Sequence, residues 1–306
     1  MTAALPHARH RRSLIALAGI AALVGPLVAV VAPATAAPPG GPVAAVVAAP
    51  GSGPERDFSG DGIDDTLAIS ESGDLLMYRA TGSGSLTGGV RIGTGWSGFD
   101  RVFVPGDFTG DGRADVMAIN AAGDLFVYPG NGTGGWLAPY QAGRGWQGFI
   151  SVFGAGDLNS DGAPDVAARD PQGQLLFYPG NGRGGWLTPR VIGTGFADFQ
   201  HVVGGGDLDF DGRADLVSTP SANDEGQTIA CGYDLLLYSG TGNGSLRNSG
   251  PIGSGWCTFT AVTGGDRVLI ARDPSGVLWR YVRTGPSSWT TGNAIGSGFN
   301  SVRLVG

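Results

Sequence analysis

One acidic nonapeptide constrains this chain more than anything else in it, because it is written four times. Asp57-Phe58-Ser59-Gly60-Asp61-Gly62-Ile63-Asp64-Asp65 returns with its first aspartate at Asp107, Asp157 and Asp207, a spacing of 50 residues without slippage. Repeats of that length stack as propeller blades or solenoid turns, since one unit cannot bury its apolar face alone.

The positions that keep an oxygen-bearing side chain show what the turn is for. Positions 1, 3, 5 and 9 are Asp57, Ser59, Asp61 and Asp65 in the first copy, and Asp107, Thr109, Asp111 and Asp115 in the second. The third copy has Asp157, Asn159, Asp161 and Asp165, and the fourth Asp207, Asp209, Asp211 and Asp215. Position 6 is always Gly, which permits a sharp left-handed reversal. Position 7 is free in type (Ile63, Arg113, Ala163, Arg213) and offers its backbone carbonyl. Carboxylates this crowded repel one another unless a cation sits among them. Without Cys or His, zinc is a poor match, and an irregular all-oxygen cage suits calcium better than octahedral magnesium. About four calcium ions are therefore expected. The turn is not an EF-hand, because position 12 holds Ala68, Ala118, Ala168 and Ser218 rather than Glu. The alternative is four metal-free Asx-turns.

Between the turns, short apolar strands alternate with glycine-rich reversals. Thr66-Leu67-Ala68-Ile69 follows the first turn, Gly73 to Tyr78 comes next, and the Pro129-Gly130-Asn131-Gly132 type of hairpin follows in later copies. Four strands per unit make a propeller blade. A fifth unit has lost its turn: Gly265-Asp266 runs directly into Arg267-Val268-Leu269-Ile270. The segment Phe299 to Val305 repeats the strand that should precede a turn, and the first turn lacks one. The fold expected is all-β, a five-bladed β-propeller closed by the C-terminal strand. Its blades lie at about 57–106, 107–156, 157–206, 207–265 and 266–306.

The start of the chain reads as an export leader. Arg9, Arg11 and Arg12 precede the apolar run Leu14 to Ala32, and Ala34-Thr35-Ala36 ends residues 1–36 as a cleavage site. The run is also long enough for a membrane anchor. Arg11-Arg12 leaves Sec and twin-arginine export both open. Residues 37–56, rich in Pro, Ala and Gly, read as a linker ahead of the 57–306 propeller. A secreted location follows, with no membrane span after cleavage. In an oxidising compartment Cys231 and Cys257 are expected to form a disulfide; two buried thiols are the alternative.

The formal charge of −7 falls to about −10 once the leader's arginines are removed, and thirteen carboxylates occupy turn positions. The acidity thus describes the turns, and no basic patch points to nucleic acid. Beyond the leader one histidine remains, His201, with no Gly-x-Ser-x-Gly elbow and no His/Glu metal motif. A non-catalytic role is expected, a hydrolase built on two carboxylates being the less favoured alternative.

Trp96, Trp146, Phe196 and Trp256 recur at one position, with Trp136, Trp186 and Trp289 on neighbouring strands. Such rings either face a sugar or pack blade on blade. The four at the first position are the candidate ligand contacts. Repeated weak sites would gain avidity on a glycan surface.

The acidic turns, each followed by a strand, resemble FG-GAP/VCBS-type calcium-binding propeller repeats over residues 57 to about 265. Trp136-Leu137 through Gly145-Trp146 to Phe149, and Asp273-Pro274-Ser275-Gly276 through Tyr281, are similar to tachylectin-2-like five-bladed lectins. That second resemblance implies a module binding N-acetylated sugars, although the acidic turns depart from its pattern. The expected partners are an extracellular glycan or cell-surface protein, with other subunits of a secreted assembly a further option. A structural scaffold without a sugar ligand is the rival class.

Overall fold

The computed structural model describes residues 55–220 and 235–306. The expected leader, nearly all of the linker and Cys231 lie outside the described residues. Among those described, no helix is long and apolar enough to cross a membrane.

Five antiparallel sheets make the propeller. The first takes Thr66–Ser70, Leu75–Tyr78 and Val90–Gly93. Its fourth strand is Val302–Val305, from the far end of the propeller, with Leu67 opposite Val305 and Ser70 opposite Val302. Ring closure by the C-terminal strand is therefore as expected. The second sheet runs Phe99–Gly106, Asp115–Asn120, Leu125–Tyr128, Tyr140–Gly143. The third is Ser151–Gly156, Asp165–Arg169, Leu175–Tyr178, Arg190–Gly193, and the fourth Phe199–Gly206, Asp215–Pro220, Leu235–Gly240, Leu246–Gly253. In the fifth, Ala261–Gly265, Val268–Arg272 and Leu278–Gly285 are followed by Ser288–Trp289 and Asn293–Gly296, which both pair with Leu278–Gly285. The second, third and fourth acidic turns each join the first strand of a sheet to its second, while the first turn leads into Thr66–Ser70, so the sheets begin somewhat before the units counted from the turns.

Alternation within the strands explains why they stack. In Leu75–Tyr78, Leu125–Tyr128 and Leu175–Tyr178 the first and third residues are buried and the second and fourth half-buried. That period of two gives each sheet two faces, each covered by a neighbouring sheet. After four of the five outer strands a short 3₁₀ turn tucks in one aromatic ring: Trp96, Trp146, Trp256 or, in the fifth unit, Phe299.

Candidate metal centre and the blade seams

The first aspartate of each turn organises it through the backbone. Asp57 Oδ1 accepts the Gly60 N–H at 2.6 Å and Asp57 Oδ2 the Gly62 N–H at 2.8 Å. Asp107 repeats this with Gly110 at 2.8 Å and Gly112 at 2.7 Å. Asp157 accepts from Asp161 at 3.0 Å and Gly162 at 2.8 Å, and Asp207 from Asp211 at 2.9 Å. The position-7 amides of Ile63, Arg113, Ala163 and Arg213 donate in turn to the position-5 carboxylates at 2.9–3.0 Å. The chain wraps tightly because positions 4 and 6 are both left-handed. Position 6 has φ of 84–86° in all four copies, and position 4 keeps a positive φ even where it is Ser160 (59°) or Phe210 (67°).

Position 9 faces inward. Asp65 is 3% exposed, and Asp115, Asp165 and Asp215 are fully buried. In the last three, Oδ1 accepts a hairpin amide from the same sheet: Gly130 at 3.1 Å, Gly180 at 2.9 Å and Gly240 at 2.9 Å. Their Oδ2 atoms hold the turn itself, through Thr109, through Leu158, and through Leu208 with Asp209. Burial pushes these carboxyls up, to about 7 at Asp115 and Asp165 and about 6 at Asp65 and Asp215; the amide bonds oppose the shift. A buried carboxyl that would rather be neutral is one that a cation would relieve.

The fourth turn brings its acids closest together. Asp207, Asp209 and Asp215 each place one carboxylate oxygen within 4.8 Å of the others. Such a donor set, all oxygen and largely anionic, fits a hard divalent cation. Asp211 is not in that cluster: its Oδ2 meets Arg213 at 2.8 Å, as Asp111 meets Arg113 at 3.3 Å. A neighbour from the fifth blade also enters. Arg267, at φ 57°, pairs with Asp207 Oδ2 at 2.8 Å, donates to the Asp207 carbonyl at 3.1 Å, and lies 4.5 Å from the centre of the Phe210 ring. No sequence signal announced that contact, because it arises from the deletion that removed the fifth turn.

The four turns also lock each of the first four blades to the next. The position-2 side chains Phe58, Phe108, Leu158 and Leu208 are at most 4% exposed. Their carbonyls accept amides from the following hairpin: Gly134 to Phe58, Gly184 to Phe108 and Gly244 to Leu158. At the fourth seam Arg283 Nε replaces the glycine, donating to Leu208 at 3.0 Å. Trp136, Trp186 and Trp289 reach back from the second, third and fifth blades, their Nε1–H donating to Ile92, Ala142 and Ile252 at 2.8–3.1 Å.

The candidate ligand rings occupy the same seams. Trp96, Trp146, Phe196 and Trp256 are 3–5% exposed. Trp96 lies 4.7 Å from Tyr128 and 5.9 Å from Trp136, and Trp146 4.5 Å from Tyr178. Phe196 sits 4.9 Å from Tyr238 and Trp256 4.8 Å from Tyr281. The geometry gives all four a packing role. His201, half-buried, faces the Phe259 carbonyl at 3.3 Å, and burial lowers its pKa.

A family model described as FG-GAP-like repeat matches residues 57–118, 107–168 and 157–218. No curated protein matches the chain. Among solved structures, a lectin of Agrocybe aegerita described as recognising non-reducing terminal N-acetylglucosamine is 17% identical, with a TM-score of 0.46 over 82% of this chain and 69% of that one. The BP39L lectin of Burkholderia pseudomallei is 18% identical, with a TM-score of 0.44 over 79% of this chain and 68% of that one.

Proposed function

This chain belongs to the FG-GAP-like repeat family, and on that premise we propose that its four acidic turns hold calcium ions that brace a secreted, non-catalytic recognition propeller. The observation that carries this reading is the convergence of Asp207, Asp209 and Asp215 within 4.8 Å, in a turn whose position-5 amide donates to the position-1 carboxylate as it does at Asp57, Asp107 and Asp157. Bound calcium would supply positive charge among the carboxylates of each turn. The chain's own residues do the rest: position 1 shapes the turn, positions 3 and 5 add oxygens, and position 9 ties the turn to its blade. A calorimetric calcium titration of chelator-stripped protein tests it, with about four equivalents expected. No heat of binding would overturn it.

The surface partner we propose is an extracellular glycan or a cell-surface protein, met by the loops at the rim, since loops on a rigid scaffold are where contacts vary freely. The rival, a scaffold with no sugar ligand, is favoured by one observation: the four recurrent rings are sealed between blades and offer no open aromatic platform. A glycan array run in calcium and in EGTA separates the two, because a scaffold gives no specific sugar signal. The Cys231–Cys257 disulfide remains part of the proposal. A thiol assay on the denatured, unreduced protein should then find no free thiol.

A further inference from the structure

The five seams are not equivalent, and the one between the fifth and first blades lacks what fills the others. Deletion of the fifth turn removes the residue that would stand where Phe58, Phe108, Leu158 and Leu208 seal the other four. The hairpin amide of Gly84 bonds its own Thr81 carbonyl instead of reaching across the seam. Leu86 takes the place of Trp136 and Trp186, as the matching bridges Ala80–Leu86, Gly130–Trp136 and Gly180–Trp186 show. The fully packed core of this seam shrinks to Leu278, Ile295 and Phe299. A cavity of about 400 Å³ opens there, within the range of small-molecule sites, roughly 300–1,000 Å³.

Two polar groups in its wall lack a partner among the described residues. Asp65 Oδ1 is buried and accepts no hydrogen bond from the described residues, whereas Asp115, Asp165 and Asp215 each receive a glycine amide at that atom. The reason lies at Ala80. A Cβ on Gly130, Gly180 or Gly240 would collide with the carbonyl of Ala114, Pro164 or Ala214. The methyl of Ala80 holds the first hairpin off in the same way, and its amide does not reach Asp65. The second group is Arg280. It occupies the strand position that is Met77, Val127, Phe177 and Leu237 in the other blades, all at most 3% exposed. The residue is half-buried, and its guanidinium makes no hydrogen bond or ion pair among the described residues.

We propose that this seam is a binding site for a small hydroxylated carboxylate, of the size of a single acidic sugar. Its carboxylate pairs with Arg280, a hydroxyl donates to Asp65 Oδ1, and its less polar face lies on Leu86, Ile270 and Ile295. Arg56 and Arg280 line the cavity together with Asp64 and Asp65, so a singly charged acid suits the site better than a dianionic phosphate, which the two aspartates would repel more strongly. The site goes beyond the calcium reading and shares one residue with it, since Asp65 is also position 9 of the first turn; Arg280 and the apolar wall lie outside the turns.

The test is a calorimetric titration of D-glucuronate into the calcium-loaded protein, with D-glucose as the neutral control. Arg280→Met installs the residue the first blade has at this position, and Leu86→Trp installs the second blade's tryptophan, so both variants have a precedent in the same fold. Saturable binding of glucuronate is expected, at least tenfold weaker for glucose and at least tenfold weaker in each variant. The calcium-dependent melting shift should persist in both. Absence of saturable binding overturns the proposal. So does binding that survives both substitutions, which would put the acid at the turns or the rim. A silent glycan array leaves this titration unaffected, so the two readings fail separately.

Discussion

Arg267 Nη2 lies 2.8 Å from Asp207 Oδ2, so the blade that lost its acidic turn supplies a cation to its neighbour's. The pair is lopsided in solvent: the Asp207 side chain is 13% exposed and that of Arg267 41%. A contact of this kind contributes up to about 1 kcal/mol. In Arg267→Met the fourth turn should bind calcium about fivefold tighter, because the competing charge is gone, while the metal-free protein melts about 2–4 °C lower. Calcium titration and a melt in EGTA read the two effects. An unchanged fourth site would mean that the arginine does not compete.

Calcium removal should lower the melting temperature. With extracellular-type affinities of about 10⁻⁴ to 10⁻³ M and about 1 mM calcium, each turn contributes roughly 0.4–1.4 kcal/mol. Asp111→Ala and Asp161→Ala should each abolish part of the shift, and the double variant more. A melt indifferent to EGTA would end the idea.

The pH dependence of the metal-free protein should run opposite to that of an ion-paired carboxylate. Asp115 and Asp165 are pushed up to about 7, and Asp65 and Asp215 to about 6, by burial. Unfolded aspartates titrate near 4. Between those values the folded chain binds more protons, so stability is full below about pH 4 and is lost as pH rises through 6 to 7. Calcium affinity should climb over the same interval, since the ion needs ionised carboxylates. Thermal melts of stripped protein from pH 4.5 to 8 decide it, and a steady rise in stability would be the wrong sign.

Gly130→Ala should reproduce in the second blade the fault seen in the first. A methyl there meets the Ala114 carbonyl, the hairpin withdraws, and Asp115 Oδ1 loses its amide. Leaving that oxygen buried without a partner costs about 1–3 kcal/mol, or more if it stays ionised. Urea unfolding should show the loss with an unchanged m-value. Arg280→Met serves as the contrast, because it removes an unpaired charge rather than a paired amide.

The ring and its turns were legible because their signals are carried by residue type at fixed spacing. Glycine at position 6, oxygen at 1, 3, 5 and 9, and the orphan strand Phe299 to Val305 were enough to predict five blades and their closure. What escaped were contacts that depend on which chain segments the fold places side by side. Arg267 reads as an ordinary arginine in an edited repeat until the deletion sets it against Asp207. Ala80 looks like a harmless substitute for glycine until Asp65 Oδ1 is set beside Asp115 Oδ1, which has the amide of Gly130. The tryptophans were ambiguous because a ring suits a sugar and a seam equally in sequence, and their burial depends on Tyr128, Tyr178, Tyr238 and Tyr281 from the next blade.

Leu67 opposite Val305 joins segments from nearly opposite ends of the described chain. The entropy of bringing such distant stretches together is met only after the intervening sheets have formed. Until then the Thr66–Ser70 strand is an unpaired edge, a template on which another copy of the chain can add its own strand. Refolding yield should therefore be lost chiefly to association at this edge, and a peptide copying Ser301 to Gly306 would act as a temporary clasp.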